Sequence, residues 1–327
     1  MRVGASPLVL LAALGCTLPD RTPAPERWRA DVSAPLPVWL SETGLFADLS
    51  TLAPAGDAVA YEPPHALWSN GAEKVRFMVV AEGTAIDPTD MAEWAFPVGT
   101  VAVKTFTFDD IEGRRGAVPV ETRLIFRSAD GWDYAVYHWN VEGTEARLLP
   151  PKWNEVRLQL TGVSGNTEAY TIPSRLDCRG CHETQTGSPI IGVSPYNLDA
   201  ALERRFTAPP VRAAAPARSP EEAAAMGYLV GNCVHCHHGV LDSDNASFSL
   251  LPEDLVAETV GVETDSSASG VGVRVVPGDP EGSALYEAVI QANAPDYPGD
   301  FKPMPPIGVL WTDPAAATIL GAWIEGL

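Results

Sequence analysis

Cationic residues are scarce in this chain: 22 Lys and Arg stand against 42 Asp and Glu, for a net charge of −20. Nucleic acid and anionic lipid headgroups bind through clustered cations, so this balance argues against both and suits a basic protein partner. Long apolar runs are lacking as well. The run near the start, Pro7 to Leu14, is too short to cross a membrane as a stable helix. Residues that ligate soft metals are few, with five Cys, six His and five Met in 327 positions. Any cluster of them is therefore informative.

The opening MRVGASPLVLLAALGC places one positive charge, Arg2, before that apolar run and a small residue, Gly15, before Cys16. This is a secretory signal over 1–15, and it predicts a periplasmic or cell-envelope location. Its end resembles a bacterial lipobox, which implies cleavage before Cys16 and lipidation of its sulfur, a membrane anchor. Ala13 departs from the usual Leu of that motif, and an ordinary signal peptide cut near Cys16 is the alternative.

Residues 16–37, rich in Pro, read as a tether. From 38 to 174, runs such as TVAVKTFTFDD, VETRLIFRS and DYAVYHWNV are rich in Val, Thr, Phe and Tyr and broken by turn residues. They predict an antiparallel β-sandwich-like domain of about seven strands. In YAVYHWN, Ala135, Tyr137 and Trp139 point one way and Tyr134, Val136 and His138 the other. A first cysteine-bearing segment spans 175–206, and a Pro/Ala-rich linker 207–219. Ser219-Pro220-Glu221-Glu222 is a helix cap, as is Thr312-Asp313-Pro314 before a closing helix. The fold class expected is α+β multidomain, the β domain being followed by an all-α domain over 220–327.

Four of the five cysteines form two Cys-x-x-Cys-His units: Cys178, Cys181 and His182, then Cys233, Cys236 and His237. At this composition one such unit arises by chance about 10⁻³ times per chain, so two are not accidental. Two thiols three residues apart can each add to a vinyl group of one haem, with the adjacent histidine beneath the iron. A structural zinc would need both pairs brought together and would leave His237 and His238 unexplained. A redox dithiol would be expected in a βαβ setting, which neither unit has. Two covalent haem c groups are the expected cofactors.

Residues 220–327 resemble a class I cytochrome c domain: a helix leads into CVHCH, FKPMPPIG follows a loop region, and a helix carrying AWIEGL closes the chain. The resemblance implies Met304 as the sixth ligand of the haem held by Cys233, Cys236 and His237. A thioether favours reduced iron, and Pro303, Pro305 and Pro306 would stiffen its loop. Met226 reads as a core residue of the entering helix, and His235 and His238 as exposed neighbours of the attachment site. No complete cytochrome c domain fits around the first unit. Its haem is expected on the β domain, or between that domain and the C-terminal one, under the 183–206 segment. His65, His138, Met78 and Met91 are its candidate distal ligands, and an empty site is the alternative.

Together LWSNGAEKVRF (67–77), YHWNVEGTEARLL (137–149), IPSRLDCRGCHE (172–183) and the C-terminal half resemble bacterial di-haem c-type cytochrome lipoproteins with an N-terminal β domain. That resemblance implies electron transfer between redox partner proteins. Two rival expectations stand beside it. One is a di-haem enzyme, a peroxidase or an oxidase of a small substrate, using the first haem as an open catalytic site. The other is a β domain that binds a glycan or a protein through Trp68 or Trp132.

Overall fold

The computed structural model describes residues 25–327 apart from Ser33, 92–93, 153–155, 163–164, 184–188, Ala214, 240–247, 265–271, 291–303 and Ile307. Cys16, the signal and the first part of the tether lie outside the described residues. Ten strands come first: β1 (Phe46–Asp48), β2 (Ala53–Pro54), β3 (Val59–Ala60), β4 (Glu73–Val79), β5 (Val101–Ile111), β6 (Arg114–Ser128), β7 (Gly131–Trp139), β8 (Ala146–Leu148), β9 (Arg157–Thr161) and β10 (Thr167–Thr171). Among the described residues five α-helices follow: α1 (Arg175–His182), α2 (Pro220–Asn232), α3 (Leu255–Thr259), α4 (Ala284–Ile290) and α5 (Pro314–Glu325).

Strands β1 and β2 form a small ribbon, and the other eight join one antiparallel, sandwich-like sheet. Long β5 lies at its centre, paired with β6 on one side and with β4 and then β9 on the other. Its residues are buried on both faces, because both faces are covered. One face packs Phe77, Val103, Leu124, Tyr137 and Trp139 against Leu40 and Leu45. The opposite face packs Met78 and Ala102 against Ile190, Val193 and Leu202 near one end, and Phe106, Tyr134 and Val136 against Tyr170 and Cys178 near the other. The alternation read from YAVYHWN is the one observed, with Ala135, Tyr137 and Trp139 in the first cluster and Tyr134 and Val136 in the third.

Segments expected to be loose are docked. Trp28, in the predicted tether, packs edge-on against Phe126, with ring centroids 5.1 Å apart. From the segment after the first cysteine unit, Ile190, Val193, Leu198, Leu202 and Phe206 belong to the sheet's second cluster. In the predicted linker, the Ala213 amide donates to the Pro195 carbonyl, and Arg212 to the Leu198 carbonyl.

The all-α domain predicted over 220–327 is not present. Strands outweigh helices in the chain, and the helices of this region are short, from five residues in α3 to thirteen in α2. Isolated bridges such as Val260 with Val275 and Glu263 with Val273 interrupt them. The caps were read correctly: Ser219 accepts from the Glu222 amide, and Asp313 from that of Ala315. Caps and an apolar stripe fix a helix locally, but they do not say what encloses the space beside it. Here the sheet does.

The stretch LWSNG explains the docking. The Trp68 amide donates to Asn232 Oδ1 (2.7 Å), and Trp68 Nε1 to the Trp311 carbonyl (2.9 Å). Asn70 spans the junction, donating to the Gly308 carbonyl (3.0 Å) and accepting from the Leu310 amide (2.6 Å). It does so at φ +55°, a left-handed conformation that Asn tolerates better than most residues. A Cβ on Gly231 of α2 would stand 2.9 Å from the His65 carbonyl, so only glycine lets helix and loop approach this closely. We expect Asn70→Ala to lower stability by about 1–3 kcal/mol. A thermal midpoint would show it, with hydrogen exchange accelerated first around 308–311; an unchanged midpoint would mean the junction is held elsewhere.

Candidate functional site

The two cysteine units are carried by different local devices. Helix α1 begins at a capping box in which Ser174 and Asp177 satisfy each other's amides, and it ends with Cys181 and His182 in its last turn. Helix α2 stops one residue before Cys233. The chain then keeps a helical turn, with the Cys236 and His237 amides both donating to the Cys233 carbonyl at 3.0 Å.

Both units open into one cavity of about 1010 Å³, which Met304 also lines. The floor is the sheet face bearing Arg76, Lys104, Phe106, Arg123 and Tyr134; the opposite wall comes from Leu229, Phe248, Val289 and Leu310. This stands at the upper end of the usual range of about 300–1,000 Å³ for a pocket holding one small ligand.

The side chains suit haem attachment. His182 Nδ1 lies 2.5 Å from the Pro189 carbonyl, so Nδ1 carries the proton and Nε2 keeps its lone pair for a metal. Burial pushes the pKa of His182 and of His237 down to about 4, leaving both imidazoles neutral, the ligating form. His237 Nδ1 is buried without a partner among the described residues, and residues 240–247 just after it lie outside them. Burial raises the Cys178 thiol to about 11 and the Cys233 thiol to about 12, the opposite of an activated redox dithiol. Among the described residues no three His, Cys, Asp or Glu side chains gather as a zinc site would require.

The four proposed distal ligands of the first unit are absent from the cavity lining. His65 packs against α2, where a Cβ on Gly227 would lie 2.5 Å from its Cε1. His138 sits on β7 opposite Glu121 and Arg147. Met78 is fully buried in the sheet's second cluster, and Met91 is exposed. His235, expected at the surface, is 9% exposed and lines the cavity, while His238 is half-buried. Met226 is in the core, as expected. Trp68 is half-buried at the junction and Trp132 packs edge-on against Phe96, so neither offers an open platform for a glycan.

Sequence reasoning missed the cations of the floor. Arg76, Lys104 and Arg123 sit in strands whose patterns are otherwise apolar, and only the pairing register reveals that they are neighbours. No protein-family model, curated protein or solved structure matches the chain.

Proposed function

We propose that this protein is an exported di-haem c-type cytochrome that passes electrons between redox partner proteins at the cell envelope. The observation that carries the reading is the convergence of two Cys-x-x-Cys-His units and Met304 on one large cavity. Cys178 and Cys181 would hold one haem and Cys233 and Cys236 the other, with His182 and His237 as proximal ligands. When bound, haem supplies an iron that gains and loses one electron.

The polypeptide's own part is to orient and to shield. The Pro189 carbonyl fixes the tautomer of His182 and the direction of its free nitrogen. The Met304 amide donates to the Ala288 carbonyl at 3.0 Å, which anchors the thioether's backbone at the rim of α4. Apolar side chains of the opposite wall would shield a bound haem from water, and a drier site makes each nearby charge count for more. The chain's acidic surface suits a basic partner, and lipidation at Cys16 would keep it at the membrane. Among the described residues no helix is long and apolar enough to cross a membrane.

One observation favours a second reading. His65, His138, Met78 and Met91 all lie outside the lining, so no side chain is assigned to the sixth position of the first iron. An open position there would make the protein a di-haem enzyme acting on a small oxidant or reductant. A pyridine haemochrome count on the exported protein should give two haems, and low-temperature EPR their axial ligands. Met304→Ala should abolish the near-infrared sulfur–iron band and lower one potential. A count of zero rejects both readings. Rapid cyanide binding with peroxide turnover selects the enzyme.

A further inference from the structure

Three cations stand in a row across the cavity floor. Arg76 of β4 is the direct cross-strand neighbour of Lys104 of β5, and Lys104 that of Arg123 of β6. All three line the cavity. Like charges placed opposite one another weaken a strand pair, and burial sharpens the repulsion. A chain with almost twice as many acids as bases has no shortage of carboxylates to set between them. It supplies one. Glu121 accepts from Arg123 through Nε (2.9 Å) and Nη2 (2.6 Å), and also from the Tyr170 hydroxyl.

Arg76 and Lys104 have no carboxylate within ion-pair distance among the described residues. Arg76 is 7% exposed, and its guanidinium makes one long bond, 3.3 Å to the Lys74 carbonyl. Lys104 leans over the Phe106 ring, 4.7 Å from its centroid, with Arg123 over the same ring at 4.3 Å. Lys104 keeps some exposure only because it faces the cavity. Burial and the surrounding Arg76, Lys74 and Arg123 charges hold its pKa well below the ordinary lysine value, with Glu121 opposing them. Arg76 cannot escape by losing its proton.

We propose that Arg76 and Lys104 form a carboxylate-binding site, and that the carboxylates are the propionates of the haems attached at the two cysteine pairs. The inference rests on the cytochrome reading above and deepens it. It explains why the sheet bears cations where one side of an amphiphilic macrocycle must end. Arg76 offers a planar fork to one carboxylate, and Lys104 a point charge to the same or a neighbouring one.

The test uses the mature protein as wild type, Lys104→Met, Lys104→Arg and Arg76→Gln, with haem isotope-labelled at its propionate carboxyls. Each form is haem-counted, titrated potentiometrically and examined by redox-difference infrared spectroscopy. All four should carry two haems. Lys104→Met and Arg76→Gln should shift one centre about tenfold towards the oxidised form at a fixed potential, about 59 mV for one electron. The labelled carboxylate band should move with them, and Lys104→Arg should restore both readouts. Two haems with an unmoved band overturn the inference and leave the cytochrome reading standing. A spectral change with added nitrite or acetate in the wild type, lost in Lys104→Met, assigns the row to a dissociable anion and also overturns it. A wild-type protein without haem removes both.

Discussion

Replacing Cys178 and Cys181 by serine is expected to leave the exported protein with one covalent haem in place of two. Cys233→Ser with Cys236→Ser should also leave one, now without the near-infrared band that depends on Met304. Changing all four should do more than remove colour: the protein should fail to accumulate. The cavity decides this. If dry, each 100 Å³ or so left empty would cost about 2.4 kcal/mol, against a total stability of about 5–15 kcal/mol for an ordinary fold. A space of about 1010 Å³ must be filled, flooded or collapsed. Pyridine haemochrome assays and immunoblots of the periplasmic fraction measure the two effects. Full accumulation of a soluble, haem-free quadruple variant would show that the fold closes the space without a cofactor.

Glu121→Gln should be the most destabilising single substitution on the sheet. Glu121 is fully buried, and its charge holds Arg123 at two bonds while the Tyr170 hydroxyl donates to it. Burial disfavours the Arg123 charge, and Glu121 more than offsets that cost. Removing one member of a buried pair leaves the other uncompensated and costs roughly 3–5 kcal/mol. Here the stranded guanidinium would join Arg76 and Lys104, so the upper part of that range is expected. A fall in the thermal midpoint of roughly 6–8 °C would follow. Adding Arg123→Met should recover much of the loss, because the pair is then removed whole. A loss below about 1 kcal/mol would mean that water already reaches the carboxylate.

The parts of this molecule that could be read from its sequence are those in which neighbours along the chain decide the outcome. The strands announce themselves through Val, Thr and aromatic alternation, as in VAVKTFTF, and helices α2 and α5 through Ser219-Pro220 and Asp313-Pro314. The cysteine units are legible because the same short spacing occurs twice. What was not legible depends on residues far apart in sequence. Asn70 meets Leu310, Trp68 meets Trp311 and His65 meets Gly227, contacts that turn an expected separate domain into one side of a shared chamber. The Arg76–Lys104–Arg123 row was hidden for the same reason: a strand register brings together residues whose local patterns carry no mark of it. His65 and His138 were plausible ligands by residue type alone, and packing sends both elsewhere.

The shared chamber also sets a chronology. Its floor is made earlier in the polypeptide, at residues such as Arg76 and Tyr134, whereas Met304 and Leu310 are synthesised long after them. The compartment does not exist until those later residues have folded back over strands completed long before. Whatever is to be enclosed has to be in place, or still able to slip inside, when that later segment closes over the floor.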